Sequence, residues 1–218
     1  MTEFQSLEQY IQQYDIGEWF SSSHPVELAL HTFPRGERIY REGEELTHFY
    51  FLVEGRIKVY STHYNGKVTI VEFGMPFDII GDLEFTKVRS TSLNVAAVSD
   101  VACVGFPIRP YQDGLLTDAH FLLNLVQTIS RRMMVNTVYF SKNLAYPVDQ
   151  RLALYIQITR HGNVFSERLT ELSDFLGVSY RHVQRVLSSL CKQGILKREG
   201  NGYRILNSSY FENAADHM

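Results

Sequence analysis

Residues 169–190 read LTELSDFLGVSYRHVQRVLSSL, and this pattern predicts two short helices joined by a turn. Apolar residues recur every three or four positions in each half, so each helix has one apolar face. Gly177 lies where a helix end favours a residue that tolerates positive φ. Ser179 lies where a hydroxyl can accept a hydrogen bond from an amide of the next helix. The stretch therefore predicts a helix-turn-helix.

The polar face of the second helix carries long hydrogen-bonding side chains close to its N-terminus. Its members are Tyr180, Arg181, Gln184, Arg185 and Ser188. Such a helix can pack its apolar side on the first helix and present Arg and Gln to base edges and phosphates in the major groove. A solvated polar face on an ordinary helical hairpin has the same periodicity, so periodicity alone leaves both interpretations open.

Two further features favour nucleic acid as the partner. Strand-like runs over residues 195–197 and 203–206 flank Gly200-Asn201-Gly202, a turn signal that predicts a hairpin, or wing, after the helices. The whole chain has a formal net charge of −3. Between residues 177 and 206, however, Glu199 is the single acidic residue against six basic ones, which are Arg181, Arg185, Lys192, Lys197, Arg198 and Arg204. A local basic excess in an acidic chain is typical of phosphate binding.

A family resemblance rests on residues 169–196, LTELSDFLGVSYRHVQRVLSSLCKQGIL. This run is similar to the winged helix-turn-helix of the Crp/Fnr transcription regulators, and the chain length and order of parts match as well. The resemblance implies a transcription regulator rather than an enzyme, with double-stranded DNA and RNA polymerase as partners. It implies DNA contacts by Ser179, Tyr180, Arg181, His182, Gln184 and Arg185. Many family members carry a glutamate at the second residue of this helix, where this chain has Arg181.

The composition limits the other possibilities. With 218 residues, 44% of them hydrophobic, the chain is long enough for two domains with their own cores. No apolar run reaches membrane-spanning length and the acidic N-terminus is unlike a signal peptide, so we expect a cytoplasmic protein without a membrane partner. Two cysteines, Cys103 and Cys191, and eight scattered histidines predict neither a disulfide framework nor a metal site. The sequence has no catalytic motif, so we predict no catalytic residues.

The N-terminal half predicts an all-β unit behind a short helical segment. Residues 2–20 keep the spacing of an amphipathic helix. Residues 31–106 change to short runs rich in Val, Ile, Tyr and Phe, divided by glycines, with Asn65-Gly66 as a hairpin turn. The family resemblance implies a jelly-roll β-barrel of the cyclic-nucleotide-binding type over residues 1–118. The predicted fold class is therefore α+β.

Residues 119–146 predict one long helix. Its apolar positions step by four and three residues in the a/d pattern of a coiled-coil seam, formed by Leu122, Val126, Ile129, Met133, Asn136 and Phe140. A second stripe, which includes Leu125 and Arg132, is expected to pack on the barrel. The seam predicts a parallel homodimer, and a core helix of a monomer is the alternative. Pro147 ends the helix, and residues 147–218 form the predicted winged domain.

By resemblance, an effector site is expected in residues 81–97, GDLEFTKVRSTSLNVAA. In cyclic-nucleotide-binding relatives a Gly-Glu pair contacts the ribose and an Arg-Ser pair the phosphate. Gly81 fits, but Asp82 is one methylene shorter than Glu. Arg89 comes earlier in the sequence than the arginine of the family motif, counted back from Ala97, and Thr91-Ser92 occupies the expected position. Asn136 and Thr137 match the helix residues that reach the base. Three interpretations stay open: a cyclic nucleotide, another small or anionic effector, or a motif that is only structural.

These features together predict a homodimeric transcription regulator that binds a pseudo-palindromic DNA site. Its barrel is expected either to sense an effector or to stabilise the protein. The alternative is a regulatory module that has kept the fold, binds an effector and acts on a protein partner. The basic excess around Arg181 and Arg185 discriminates between them, because a surface for a protein partner does not require it.

Overall fold

The computed structural model describes residues 4–45, 47–64, 68–86, 93–160 and 162–216. The side chains of residues 138–140, 142–144, 158 and 213–216 lie outside this description. The chain divides into two compact units, Met1–Met134 and Val135–Met218.

The first unit contains a barrel made of two four-stranded antiparallel sheets. Its strands are β1 (Ala29–Phe33), β2 (Arg38–Tyr40), β3 (His48–Glu54), β4 (Ile57–Thr62), β5 (Val68–Gly74), β6 (Ile79–Ile80), β7 (Asn94–Ala97) and β8 (Val101–Pro107). The strand orders are β1-β8-β3-β6 and β2-β7-β4-β5. This non-sequential order confirms the prediction of an N-terminal β-barrel within an α+β fold. The predicted turn Asn65-Gly66 lies outside the described residues, between the paired strands β4 and β5.

Strand β3 illustrates how both faces of one sheet are buried. The alternation of side chains along HFYFLVE sends Phe49, Phe51 and Val53 to one face and Tyr50 and Leu52 to the other. Each of these side chains is at most 7% exposed. Tyr50 and Leu52 join a core shared by the two sheets, whereas Phe49, Phe51 and Val53 pack under helices. We call this second cluster, between the sheet and the helices, the outer core. A strand buried on both faces therefore reads as a continuous apolar run.

The N-terminal segment departs from the single helix predicted over residues 2–20. The structure has helix α1 (Leu7–Gln13), followed by a 3-10 turn (Ile16–Trp19). Asp15, between them, takes left-handed backbone angles of φ 50° and ψ 35°, which an α-helix cannot continue through. The break turns Trp19 into the outer core, where it is 6% exposed.

Three helices follow in and after the barrel. They are α2 (Asp82–Phe85), α3 (Ile108–Leu115) and α4 (Ala119–Ala145). Helix α4 agrees with the predicted helix 119–146 to within one residue. Asp118 caps its start, because its carboxylate accepts from the backbone amides of His120 and Phe121 at 3.0 and 3.4 Å. The first unit ends inside α4 at Met134, and the domain limits at residues 118 and 146 stay a prediction.

The second unit is a winged helix-turn-helix. After α4 it contains α5 (Val148–Thr159), β9 (Val164–Phe165), α6 (Leu169–Leu176), α7 (Tyr180–Lys192), β10 (Leu196–Glu199), β11 (Gly202–Ile205) and α8 (Ser208–Asp216). The three strands form an antiparallel sheet in the order β10-β11-β9. Glu199 pairs with Gly202 across the hairpin turn, where Gly200 has a φ of 54°. The predicted wing is confirmed, and it gains β9, a strand too short for periodicity to detect.

The apolar faces of α6 and α7 hold the two helices together. Leu172 and Leu176 on α6, and Val183, Leu187 and Leu190 on α7, are each at most 3% exposed. Burial of an aliphatic side chain of this size contributes about 1.5–3 kcal/mol. Because the apolar face of α7 is buried, its polar face is turned to solvent.

Candidate functional site

The turn between α6 and α7 fixes where the exposed helix begins. Gly177 ends α6 with φ 66° and ψ 27°, a conformation that glycine adopts without a Cβ clash. Ser179 caps α7, and its Oγ accepts a hydrogen bond from the backbone N–H of His182 at 3.3 Å. Both predicted helix ends are therefore confirmed.

Five of the six predicted DNA-contact residues share one exposed surface at the start of α7. They are Ser179, Tyr180, Arg181, Gln184 and Arg185. Tyr180 is 43% exposed although it is a large aromatic residue. The sixth predicted residue, His182, is half-buried at the border of this surface. The structure thus brings five of the six predicted side chains together on one exposed face of α7.

Arg181 and Arg185 lie one helical turn apart and carry the same charge. Neither side chain forms an ion pair with an acidic residue in the part of the chain that the structure describes. Like charges at this spacing destabilise an isolated helix by about 0.2–0.5 kcal/mol. An anion bound between or beside them removes that repulsion, so the pair favours an anionic partner.

The wing adds further positive charge. Arg204 Nε donates to Glu199 Oε2 at 2.6 Å, and Arg204 Nη2 donates to Glu199 Oε1 at 2.9 Å. These hydrogen bonds lower the pKa of the Glu199 carboxyl. Lys197 and Arg198, on the neighbouring strand β10, are exposed. The single acidic residue of the region is thereby paired internally, and the exposed cations of the wing remain available to an anion.

A half-buried arginine that the sequence analysis missed binds the C-terminal end of α6. Arg151, on α5, donates from Nη1 to the carbonyl oxygen of Leu176 at 3.0 Å. Leu176 is the last residue of α6, where carbonyl groups lack helical partners. Burial lowers the pKa of the Arg151 guanidinium. Its sequence signal is a lone basic residue directly before the apolar run LALYI.

The candidate effector motif contacts helix α4 through Asp82, whose side chain is buried. Gly81 has a φ of 100°, and α2 begins directly after it. Asp82 is 5% exposed, and its carboxylate forms an ion pair with the guanidinium of Arg132 on α4. Arg132 Nη1 also donates to the carbonyl oxygen of Ile79 at 3.3 Å. The sequence analysis placed Arg132 in the stripe that packs on the barrel but did not identify its partner.

The remaining residues of the predicted effector site stay a prediction. Arg89, Thr91 and Ser92 lie outside the described residues. Asn136 and Thr137 belong to the part of α4 that lies in the second unit. Of the predicted set, Gly81 and Asp82 are the residues whose surroundings are described within the barrel unit.

The predicted dimer seam separates into two groups along the first part of α4. Leu122 and Ile129 are half-buried and pack against the outer barrel core. Val126 and Met133 are 58% and 64% exposed. The seam residues therefore differ in whether the barrel unit already covers them.

Other exposed apolar residues lie on the same helix. Leu123 and Met134 are 57% and 72% exposed, and the a/d pattern did not include them. Asn136 is half-buried, and the side chain of Phe140 lies outside the described part. The exposed apolar surface of α4 is thus broader than the seam that the sequence predicts.

Metal and membrane sites were also sought in the described ranges. There, no group of three or more His, Cys, Asp or Glu side chains is placed to hold a metal ion. No helix in these ranges is long and apolar enough to cross a membrane.

Comparison with known families matches both parts of the chain. The cyclic nucleotide-binding domain matches residues 30–116, and the Crp-like helix-turn-helix domain matches residues 119–213. The regulatory protein YeiL of Escherichia coli O157:H7 is 30% identical over 199 residues, which cover 91% of this chain and 91% of YeiL. The chain belongs to the Crp/Fnr family of transcription regulators.

Other Crp/Fnr proteins are more distant in sequence. The cAMP-activated global transcriptional regulator CRP of Salmonella typhimurium is 24% identical over 196 residues, which cover 84% of this chain and 90% of CRP. The structure of FixK2 from Bradyrhizobium japonicum aligns with a TM-score of 0.72 at 19% identity, covering 87% of this chain and 98% of FixK2. The last comparison shows the shared fold. Membership of the Crp/Fnr family identifies the chain as a helix-turn-helix transcription regulator rather than an enzyme.

Proposed function

We propose that this Crp/Fnr regulator binds a pseudo-palindromic site in double-stranded DNA as a homodimer. The observation that carries the proposal is the exposed Arg181–Arg185 pair, which has no acidic partner among the described residues and shares its unit with the cationic wing. A two-fold dimer presents this surface twice, and two inverted half-sites match that symmetry. Its expected second partner is RNA polymerase, and its expected location is the cytoplasm.

The side chains of the surface differ in what they can recognise. The guanidinium of Arg185 can donate twice to O6 and N7 of guanine, which makes it the proposed base reader. We propose phosphate contacts for Ser179 and His182 at the helix start, and for Lys197 and Arg198 on the wing. In this division Arg185 supplies specificity, and the phosphate contacts supply most of the affinity.

The exposed apolar face of α4 supports the dimer. Leu123, Val126, Met133 and Met134 are each more than half exposed. Apolar surface in contact with water costs about 25 cal/mol per Å² relative to its burial, and a contiguous patch of it usually marks an interface. A second copy of the chain presents the same face, so pairing of two α4 helices would cover both patches.

The barrel is the proposed regulatory unit. In it the Asp82 carboxylate of the candidate effector motif is already paired with Arg132. Family resemblance assigns the Asp82 position to a ribose contact, but a guanidinium already binds this carboxylate. A ribose hydroxyl would replace an ion pair, in which both partners are charged, by a hydrogen bond in which only the carboxylate is charged. The pair therefore favours an effector that competes for Arg132 with an anionic group of its own, or a purely structural motif, over binding of the ribose by Asp82.

The salt dependence of DNA binding tests the proposal. The full chain is titrated onto random-sequence duplex DNA in a gel shift at 50 and 200 mM salt. If six or more phosphates are contacted, the affinity should fall by about 10³-fold or more between these conditions. The variant Arg181→Gln/Arg185→Gln should bind more weakly and with a shallower salt slope.

A matched control removes the same charge elsewhere. Arg41→Gln/Arg109→Gln takes two cations from the barrel, where they pair with Glu44 and Glu45. It should bind DNA like the wild type. No binding by the wild type at 50 mM salt, or equal binding by both double variants, would contradict the proposal. The first of these results would favour the alternative, a regulatory module that acts on a protein partner.

A further inference from the structure

Tyr180 and Gln184 are linked on the exposed face of α7. They lie one helical turn apart, and Gln184 Nε2 donates a hydrogen bond to the Tyr180 hydroxyl oxygen at 3.4 Å. Both side chains are exposed, so the bond competes with water in the isolated protein. In a DNA groove water is displaced, and a hydrogen bond becomes stronger as the local dielectric falls.

Tyr180 also lies near the wing. Tyr203 lies on β11, and its ring contacts Phe165 with centroids 6.4 Å apart. Burial raises the pKa of Tyr203, Arg198 opposes this rise, and the nearby Tyr180 adds to it. Tyr180 therefore lies within electrostatic range of the wing, and its hydroxyl oxygen is the acceptor for the Gln184 amide.

The hydrogen bond changes what the Gln184 amide can offer to a base. An amide has two N–H donors and one carbonyl acceptor. With one N–H directed at Tyr180, one donor and the carbonyl oxygen remain, side by side in one plane. Adenine presents the complementary pair in the major groove, an N7 acceptor beside an N6 donor. Guanine presents two acceptors there, so the carbonyl oxygen would face another acceptor.

We propose that Tyr180 is a positioning residue that holds Gln184 in the orientation to read adenine. This inference rests on the proposed DNA-binding function and adds a second base reader beside Arg185. It differs from a phosphate role for Gln184, because a phosphate contact would carry no base preference. The inference assigns the orienting role to the hydroxyl of Tyr180 and not to its ring. A phenylalanine would retain the ring but could not accept the hydrogen bond from the amide.

Selection from a random duplex library tests the inference. The proteins compared are the wild type, Tyr180→Phe, Gln184→Ala and Tyr180→Phe/Gln184→Ala. The wild type should prefer adenine at one base pair of each half-site on the order of 5- to 150-fold. Gln184→Ala should lose that preference. Tyr180→Phe should reduce it roughly 2- to 10-fold, the range for one hydrogen bond. In both variants the salt slope and the preferences at other base pairs should be unchanged.

The double variant distinguishes a positioning role from a structural one. If Tyr180 acts through Gln184, the double variant should select the same base pairs as Gln184→Ala. An adenine preference that survives Gln184→Ala, or that is unchanged in Tyr180→Phe, would overturn the inference while leaving DNA binding intact. Equal loss of affinity for all sequences in Tyr180→Phe, with the melting temperature lowered, would assign Tyr180 to structure and overturn it as well. Failure of the wild type to bind any duplex would overturn the proposed function itself.

Discussion

The carboxylate of Asp82 and the guanidinium of Arg132 form an ion pair that joins helix α2 to the first part of α4. The side chain of Asp82 is 6% exposed and that of Arg132 is 23% exposed. A second bond from Arg132, to the carbonyl oxygen of Ile79, ties the same helix to strand β6. The barrel therefore holds α4 through polar contacts at the motif where an effector is expected.

Removal of one partner should destabilise the barrel unit. Arg132→Met keeps most of the side-chain volume but leaves the Asp82 carboxylate buried without its cation. Loss of one partner of a buried pair costs about 3–5 kcal/mol, and we expect the lower limit because Arg132 is partly exposed. Urea unfolding followed by the fluorescence of Trp19, the single tryptophan, measures the effect.

Two controls accompany this measurement. Arg131→Met changes the exposed neighbour on the same helix and should shift the free energy of unfolding by no more than about 0.5 kcal/mol. Asp82→Leu/Arg132→Met removes both charges and should recover most of the lost stability. Equal effects of Arg131→Met and Arg132→Met would show that the ion pair does not stabilise the barrel.

Cyclic nucleotides should leave the thermal stability of the wild type unchanged. A ligand that binds the folded state raises the melting temperature by mass action. Because Arg132 already binds the Asp82 carboxylate, we expect no shift with cyclic AMP or cyclic GMP at millimolar concentration, measured by differential scanning fluorimetry. A dose-dependent rise that Asp82→Asn abolishes would instead show that this carboxylate binds the ribose.

The capping residue Asp118 should make stability depend on pH in the acid range. Burial raises the pKa of its carboxyl, but hydrogen bonds from Ser21, His120 and Phe121 outweigh burial and lower the pKa from 3.8 to about 2. The folded state thus favours the charged form. This stabilisation is present above pH 3.8 and is lost as the pH falls from 3.8 towards 2.

The variant Asp118→Asn tests this pH dependence. At pH 7 it should lose about 1–3 kcal/mol, because hydrogen bonds to a charged group are weakened. The difference from the wild type should shrink below pH 3.8. The exposed Glu27 is the control position, and Glu27→Gln should change stability by at most about 0.5 kcal/mol both at pH 7 and below pH 3.8. A difference that stays constant with pH would contradict the capping role of the charge.

Charges on the exposed face of α4 should separate the dimer. In Val126→Asp/Met133→Asp each chain carries two carboxylates on the proposed interface, where an unpaired buried charge costs several kcal/mol. Both positions are exposed in the single chain, so the fold itself should persist. Sedimentation velocity should show monomers, and DNA affinity should fall with the loss of the second half-site.

The control for the dimer prediction is Arg131→Asp, on the same helix. Arg131 is exposed and lies on nearly the opposite side of α4 from Val126 and Met133. This variant should remain a dimer. If Val126→Asp/Met133→Asp also remains dimeric, the interface lies on another surface of the chain.

Local patterns account for what could be predicted from the sequence. Helices α6 and α7 with their turn follow from short-range periodicity, Gly177 and Ser179, and α4 follows from its long apolar repeat. The partner of Arg132 could not be predicted, because Asp82 is 50 positions away and only folding brings the two together. Likewise, the left-handed backbone of Asp15 interrupts an N-terminal segment whose spacing is helical throughout.

Base preference at Arg181 and Arg185 provides the last test. Arg185→Ala should cost about 1–3 kcal/mol on the selected site and relax the preference for guanine at one base pair. Arg181 stands where many family members have a glutamate that accepts from the amino group of cytosine. A guanidinium has donors only and cannot make that contact, so the half-site of this protein should differ from theirs at that base pair.

The substitution Arg181→Glu should introduce the missing preference. A carboxylate at this exposed position can accept from cytosine N4, with about 1–3 kcal/mol of discrimination against the wrong base. Arg181→Ala is the matched control, because it removes the guanidinium without adding an acceptor, and it should select no cytosine there. Library selection with the wild type and both variants measures these preferences. Selection of the glutamate-type half-site by the wild type would show that Arg181 does not prevent cytosine recognition.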